Sequence, residues 1–207
     1  MNTNGLLVHG LLNASRVNGP GLRAVLFVQG CVVGCNSCWN RKSHAVDGAG
    51  ASMSAEDLAR WISECRDAEG VAGVTFSGGE PMHQAPALAA LIDRVAKQDR
   101  SMSFGMFSGY TEQELNRGRY WTREPLSPAQ RVSAWSEIKA QLDFAVLGRF
   151  VAARPSRLPL RSSANQVLRL FSSKYRESDF SDPETEITIE ATGLVTITGF
   201  PTAGTPA

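Results

Sequence analysis

The chain has 207 residues, 43% of them apolar, and its 21 lysines and arginines against 20 aspartates and glutamates leave a net charge of +1. That balance supports a full hydrophobic core in one domain spanning 1–200 with a frayed tail at 201–207, and it leaves no basic field for nucleic acid. No apolar run approaches the roughly 20 residues that cross a bilayer, and four cysteines with no apolar leader point to a cytoplasmic protein whose thiols stay reduced, which argues against a disulfide framework.

In chain order, Leu6 to Leu12 and Leu22 to Gln29 read as strands joined by the turn-rich Asn18-Gly19-Pro20-Gly21. A helix follows from Ala55 to Ala68, capped by Ser52 or Ser54, with Glu56 and Asp57 at its positive dipole end. Cys65 falls on the same side of it as Leu58, Trp61 and Ile62 and reads as core. Val71 to Phe76 is a short apolar strand, and Ala85 to Gln98 is a helix with Leu88, Leu91, Ile92 and Val95 on one face. Ser101 to Phe107 is another strand, Thr111 to Leu115 opens a helix, and an inserted segment, 116–141, holds a second helix, Pro128 to Gln141, burying Val132, Trp135 and Ile138. Asp143 to Leu147 is again a strand. The stretch 186–198 predicts a hairpin, Ile187–Ile189 against Val195–Ile197 about Thr192-Gly193, that extends or covers the sheet edge. Strands alternating with helices make an α/β fold with mostly parallel strands, open or barrel-like.

The chemistry concentrates directly after the second strand, where Cys31, Cys35 and Cys38 stand in a C-x3-C-x2-C spacing. Three thiolates on one short loop can hold three corners of an iron-sulfur cube and leave its fourth iron open for a substrate. The other reading of such a loop is structural zinc, which wants four ligands, with Cys65 or His44 as completions.

Ligands in α/β sheets meet the carboxyl ends of the strands. The cysteine loop follows one strand there, Ser77-Gly78-Gly79-Glu80-Pro81 the next, and Ser108-Gly109-Tyr110 a third. Adjacent glycines let main-chain amides approach an anionic group, and the neighbouring carboxylate accepts from an ammonium, a pairing suited to a zwitterionic amino-acid end. His9 and His83 have no metal partner in the pattern; His83, just after Gly-Gly-Glu, has an approach to the cofactor as one reading, and a surface place is the expected one. The charges from Lys174 to Asp182 read as a solvated face.

The motifs Asn18-Gly-Pro-Gly-x-Arg23, Phe27-Val-x-Gly-Cys31 through Asn40, Ser77 to Pro81, Ser108 to Tyr110, Asp143 with Gly148-Arg149-Phe150, and Arg161 to Gln166 follow one another in order. Together they resemble the radical S-adenosylmethionine enzymes, and within them the small activases of glycyl-radical proteins, in particular the activating protein of anaerobic ribonucleotide reductase. The resemblance implies a partial (βα)6-like barrel. It further implies a [4Fe-4S] cluster on Cys31, Cys35 and Cys38, whose open iron the amino and carboxylate groups of S-adenosylmethionine chelate. Ser77, Gly78, Gly79 and Glu80 are expected to hold the methionine end, with Glu80 near the ammonium. Ser108, Asn40 and Trp39 are expected to line the cofactor, and core filling is the other reading of Trp39. Asn36 and Ser37 stand as donors around the cluster sulfurs.

The activity so implied is reductive cleavage of S-adenosylmethionine to a 5'-deoxyadenosyl radical that takes a hydrogen atom from a large glycyl-radical partner protein. An electron donor such as flavodoxin or ferredoxin feeds it. Two other activities share these residues: direct action on a small molecule or a peptide, and a binding or electron-transfer module that never cleaves the cofactor. The segment with Arg117, Arg119, Tyr120, Trp121 and Arg123 is a docking surface, a lid over the cofactor, or a solvated insertion tucked by Trp121 and Trp135. Arg161 is suited to a carboxylate or phosphate, and Asn165 and Gln166 to a ribose or a main chain.

Overall fold

The computed structural model describes residues 5–47, 49–180, 185–189, 193 and 195–200. Strand β1 (Gly5–Ser15) pairs antiparallel with β2 (Arg23–Val28) on one side and with the short β3 (Ala51–Ser54) on the other. The chain then alternates through α1 (Ala55–Glu69), β4 (Gly73–Gly78), α2 (Ala85–Gln98), β5 (Ser103–Ser108), α3 (Glu112–Asn116), α4 (Pro128–Lys139) and β6 (Phe144–Leu147) before β7 (Val167–Leu170). Strands β2, β4, β5 and β6 lie side by side and parallel, with β7 antiparallel at the far edge, in the order β3-β1-β2-β4-β5-β6-β7.

Strands β2 and β6 read as continuous apolar runs because both faces of the sheet are covered there. Ala24, Val25, Leu26 and Val28 of β2 are wholly buried. Helix α2 puts Leu88, Leu91, Ile92 and Val95 into that core, the expected helical stripe. The helix starts follow from local chemistry: Ser54 accepts the Asp57 amide, while Thr111 with Glu114 and Ser127 with Gln130 form capping boxes. Trp135 and Ile138 of α4 are buried as expected, whereas Val132 is half-buried.

At the amino-terminal ends of the parallel strands, Arg23 is fully buried with its guanidinium over the Phe144 ring, 5.0 Å from the centroid. Its Nε donates to Thr75 Oγ1 at 2.7 Å, and Nη2 donates to the carbonyls of Val74 at 2.8 Å and Ser103 at 3.1 Å. The five donors of a guanidinium, set in a fixed fork, let one side chain tie several strands without an ion pair.

The carboxyl-terminal hairpin is present as β8 (Thr185–Ile189) against β9 (Val195–Gly199), with Ile187 facing Ile197; of its predicted turn, Thr192 lies outside the described residues, as does the tail 201–207. It makes a sheet of its own and adds no strand to the main one. It is anchored by Asn18, whose side chain donates to Thr198 Oγ1 at 2.9 Å, by the Glu186 carboxylate on the Arg16 amide at 3.2 Å, and by Phe200 on Phe107 at 5.6 Å. Thr198 is turned inward and buried, and Ile187, Ile189, Val195 and Ile197 are exposed. No helix among the described residues is long and apolar enough to cross a membrane.

Candidate functional site

Val28 pairs with Gly78, and Ser108 with Leu147, so the chains leaving β2, β4, β5 and β6 all emerge along one edge of the sheet. The cysteine loop and the turn after β4 touch there: the Glu80 amide donates to the Gly30 carbonyl at 2.9 Å and the Gly79 amide to that of Val28 at 2.8 Å. A Cβ on Gly79 would stand 2.4 Å from the Gly30 oxygen, and one on Gly78, where φ is +99°, 2.6 Å from the Val28 nitrogen. Two glycines are needed because the two loops pass in backbone contact. The amides expected to meet an anionic group are therefore occupied by the neighbouring loop, and the turn offers acceptors instead. The Asn40 side-chain amide donates to the Gly78 carbonyl at 3.4 Å, a second tie between the same two segments.

Cys31, Cys35 and Cys38 are free and half-buried on that loop, while Cys65 is buried in α1 with its thiol 3.7 Å from Asn13 Oδ1. Burial pushes the Cys31 thiol up to about 11, opposed by the Val33 amide and reinforced by the charge of Glu80; burial also raises Cys38. Among the described residues no three histidines, cysteines or carboxylates converge on a single-ion site. A cube spreads its protein ligands over separate irons, and three soft sulfur donors on one loop suit it. Binding turns such thiols into thiolates whatever their free value.

The Glu80 side chain is 1% exposed. Its Oε1 accepts from the Met82 amide at 3.0 Å and the Ser108 hydroxyl at 2.8 Å, and its Oε2 accepts from the Gly109 amide at 2.7 Å. Burial pushes it up to about 7 against the pull of those three donors and of Arg149. Ser77, one step before the glycines, is half-buried opposite Phe27.

His83, expected at the surface, is buried, because the turn after β4 folds it under the segment that follows α3. Its Nε2 lies 3.0 Å from the Tyr110 hydroxyl, which accepts the Trp121 amide at 3.1 Å. The other ring nitrogen, Nδ1, is buried without a hydrogen-bond partner. The Trp121 indole stands edge-on to the imidazole at 4.8 Å, and the Arg123 amide donates to the His83 carbonyl at 2.8 Å. Burial holds His83 down to about 4, so it is neutral near pH 7.

Trp39 is 44% exposed, which removes the core reading. Asn36 and Ser37 are exposed on the same loop, Ser37 in the left-handed region at φ 59°. Asn165 donates to the Arg149 carbonyl at 2.8 Å and Gln166 to that of Gly148 at 3.2 Å, so both hold main chain; Nε of Arg161 is buried without a partner.

A pair that sequence reasoning missed stands beside them. Arg149 grips Glu114 through both terminal nitrogens at 2.9 Å and lies over the Tyr110 ring at 5.5 Å. Thr111-x-x-Glu114 carries a capping signature, but nothing in it signals the cation 35 residues on.

A family model described as a 4Fe-4S single cluster domain matches residues 17–169. The anaerobic ribonucleoside-triphosphate reductase-activating protein of Vibrio cholerae is 32% identical over 160 residues, 75% of this chain and 92% of that protein. The protein of the same description from Escherichia coli K12 is 29% identical over 157 residues, 73% and 90% of the two chains. The pyruvate formate-lyase-activating enzyme of Listeria monocytogenes is 41% identical over 80 residues, 37% of this chain and 32% of that one. The chain belongs to the 4Fe-4S single cluster domain family and, within it, to the radical S-adenosylmethionine activating proteins, enzymes whose cofactors are a [4Fe-4S] cluster and S-adenosylmethionine.

Proposed function

We propose that Cys31, Cys35 and Cys38 hold the cluster, that the turn Ser77 to Glu80 seats the methionine end of S-adenosylmethionine, and that the protein installs a radical on a glycine of a large partner enzyme, anaerobic ribonucleoside-triphosphate reductase. The observation that carries this reading is the backbone contact between the two loops, Glu80 amide to Gly30 carbonyl at 2.9 Å, which leaves no gap between a cluster on the cysteines and an amino-acid group on the turn. The partner is inferred from the relatives named as activators of that reductase.

When bound, the cofactor pair supplies one-electron cleavage of the sulfonium and so a carbon radical. The chain's own work is to position it and keep water out. Carbonyls of the glycine turn suit an ammonium, Glu80 fixes that turn from beneath, and Arg149 brings positive charge to the same side. Trp39 offers an exposed indole from the cysteine loop, while Ser108 acts from beneath by holding Glu80. Beside the turn, Tyr110 and Trp121 pack edge to face on His83. Flavodoxin or ferredoxin is the class of electron donor that fits such a site.

The test is anaerobic. Reconstituted protein with reductant, S-adenosylmethionine and the anaerobic ribonucleotide reductase of the same organism is expected to give a glycyl doublet on the reductase by electron paramagnetic resonance. Cleavage of S-adenosylmethionine with no doublet on that reductase would overturn the partner assignment, and no cleavage at all would overturn the enzyme reading of the site.

A further inference from the structure

Charge on this nearly neutral chain is unevenly spread. From Phe144 to Arg176 there are seven arginines and lysines and no aspartate or glutamate. On the helical side, cations find carboxylates: Arg66 with Asp99 at 2.8 Å, Lys97 with Asp93 at 2.7 Å, Lys139 with Glu112 at 2.9 Å. Along the described connections after α3 and after β6, Arg149 alone finds one, in Glu114, and five others do not. Among the described residues, Arg117, Arg119 and Arg123 after α3, and Arg154 and Arg157 after β6, make no ion pair, and all five are exposed.

The two connections are tied together through Glu114 and Arg149. The Arg119 amide donates to the Glu114 carbonyl at 2.8 Å, and the Glu114 carboxylate grips Arg149, the residue that opens the connection after β6. Trp121, 40% exposed, is fixed from beneath by its amide bond to Tyr110 and its packing on His83, and Arg123 is fixed by its amide on the His83 carbonyl. Trp121 and the Arg123 backbone are thus held in place by buried groups before anything binds, which lowers the entropy lost on association. Exposed arginines around a fixed tryptophan are the composition of a protein-binding hot spot, and unpaired guanidinium groups ask for carboxylates opposite them.

We propose that Arg117, Arg119, Trp121 and Arg123, with Arg154 and Arg157, form the docking surface for an acidic rim around the reacting loop of the protein partner. This rests on the activase reading above and gives the partner a chemistry: a protein face with surplus aspartate and glutamate around its glycine loop. Docking charges at the rim act on encounter and on salt dependence more than on the chemical step.

The experiment uses the reconstituted protein with the anaerobic ribonucleotide reductase of the same organism. The rate of glycyl-radical formation is followed against reductase concentration at about 50 and about 200 mM NaCl. Arg119→Glu with Arg123→Glu, and separately Arg154→Glu with Arg157→Glu, are expected to raise the KM for the reductase about tenfold with kcat nearly unchanged and to flatten its rise with salt. Partner-free formation of 5'-deoxyadenosine stays at the wild-type level in both, which shows that the variants are folded and loaded. Arg94→Glu, on the outer side of α2, changes neither parameter. Unchanged KM and unchanged salt dependence in both pairs, with the wild type active, overturn this proposal alone. Absence of the radical with the wild type overturns the activase reading and this surface with it. Tight, salt-sensitive binding of a single-stranded RNA, lost in the variants while the reductase KM is unaltered, also overturns it.

Discussion

The Glu80 carboxylate accepts the Ser108 hydroxyl at 2.8 Å, and this bond ties the turn after β4 to the loop after β5 through a group almost shut off from water. With the Gly109 amide on its other oxygen, Glu80 joins the two loops on either side of the site, while its own amide holds the cysteine loop. One residue thus links three of the segments at this edge of the sheet.

That burial has a pH consequence. Glu80 stands at about 7 in the fold, above the value of about 4.3 for an unfolded chain. Between these limits the native state holds a proton that the unfolded state has released, so cluster-free protein loses stability as pH rises from about 4 through about 7, by on the order of 3 kcal/mol, and then levels. His83, held down to about 4, acts in the opposite sense over an overlapping window, so the wild-type profile alone does not separate them. Glu80→Gln isolates the term. Its unfolding free energy in urea, relative to wild type, should shift in the variant's favour between pH 5 and pH 8 by that order, and a pH-independent difference contradicts the account.

The cysteines divide by place. Cys35→Ala, on a half-exposed loop, should leave the fold intact while iron falls from about four atoms per chain to less than one and the charge-transfer absorbance disappears. Cys65→Ala should keep its iron and lose about 1 kcal/mol of stability to a small cavity in α1. Iron loss in the second variant would bring back the four-ligand reading.

Tyr110→Phe removes the hydroxyl shared by His83 and the Trp121 amide. It strands a buried ring nitrogen and a main-chain donor, at a cost of about 1 to 3 kcal/mol. Lower thermal stability with faster hydrogen exchange at the Trp121 amide is expected; exchange no faster than in the wild type would show that the segment is held by other contacts.

Arg23→Lys keeps the charge and loses the fork, leaving acceptors on Thr75, Val74 and Ser103 without donors at the bottom of the sheet. A loss of about 2 to 4 kcal/mol in urea unfolding, with the slope unchanged, is expected. A loss below about 0.5 kcal/mol would mean that water or a neighbour takes over those bonds.

Much of this was legible from neighbours along the chain. The stripe Leu88, Leu91, Ile92, Val95 gives α2, and the spacing of Cys31, Cys35 and Cys38 gives the loop, because both are local patterns. The pair Gly78-Gly79 announced a close approach without saying to what; the answer, Gly30, comes from the parallel register of β2 and β4. Arg149 on Glu114, Arg23 under Phe144 and His83 beneath Trp121 join residues far apart in sequence, and a polar residue's type does not tell whether partners wait inside. The hairpin shows another limit. Period-two alternation puts Ile187, Ile189, Val195 and Ile197 on one face, but only the anchors at Asn18 and Phe107 show that this face is turned outward.

The most direct measurement is the ratio of 5'-deoxyadenosine formed to glycyl radical installed, taken to completion with limiting reductase under anaerobic conditions. An activase spends one S-adenosylmethionine per glycine, so the account predicts a ratio near one, with cleavage slowing sharply once the reductase is fully activated. Continued release of 5'-deoxyadenosine in step with a small-molecule product, at the same rate with no reductase present, would contradict it.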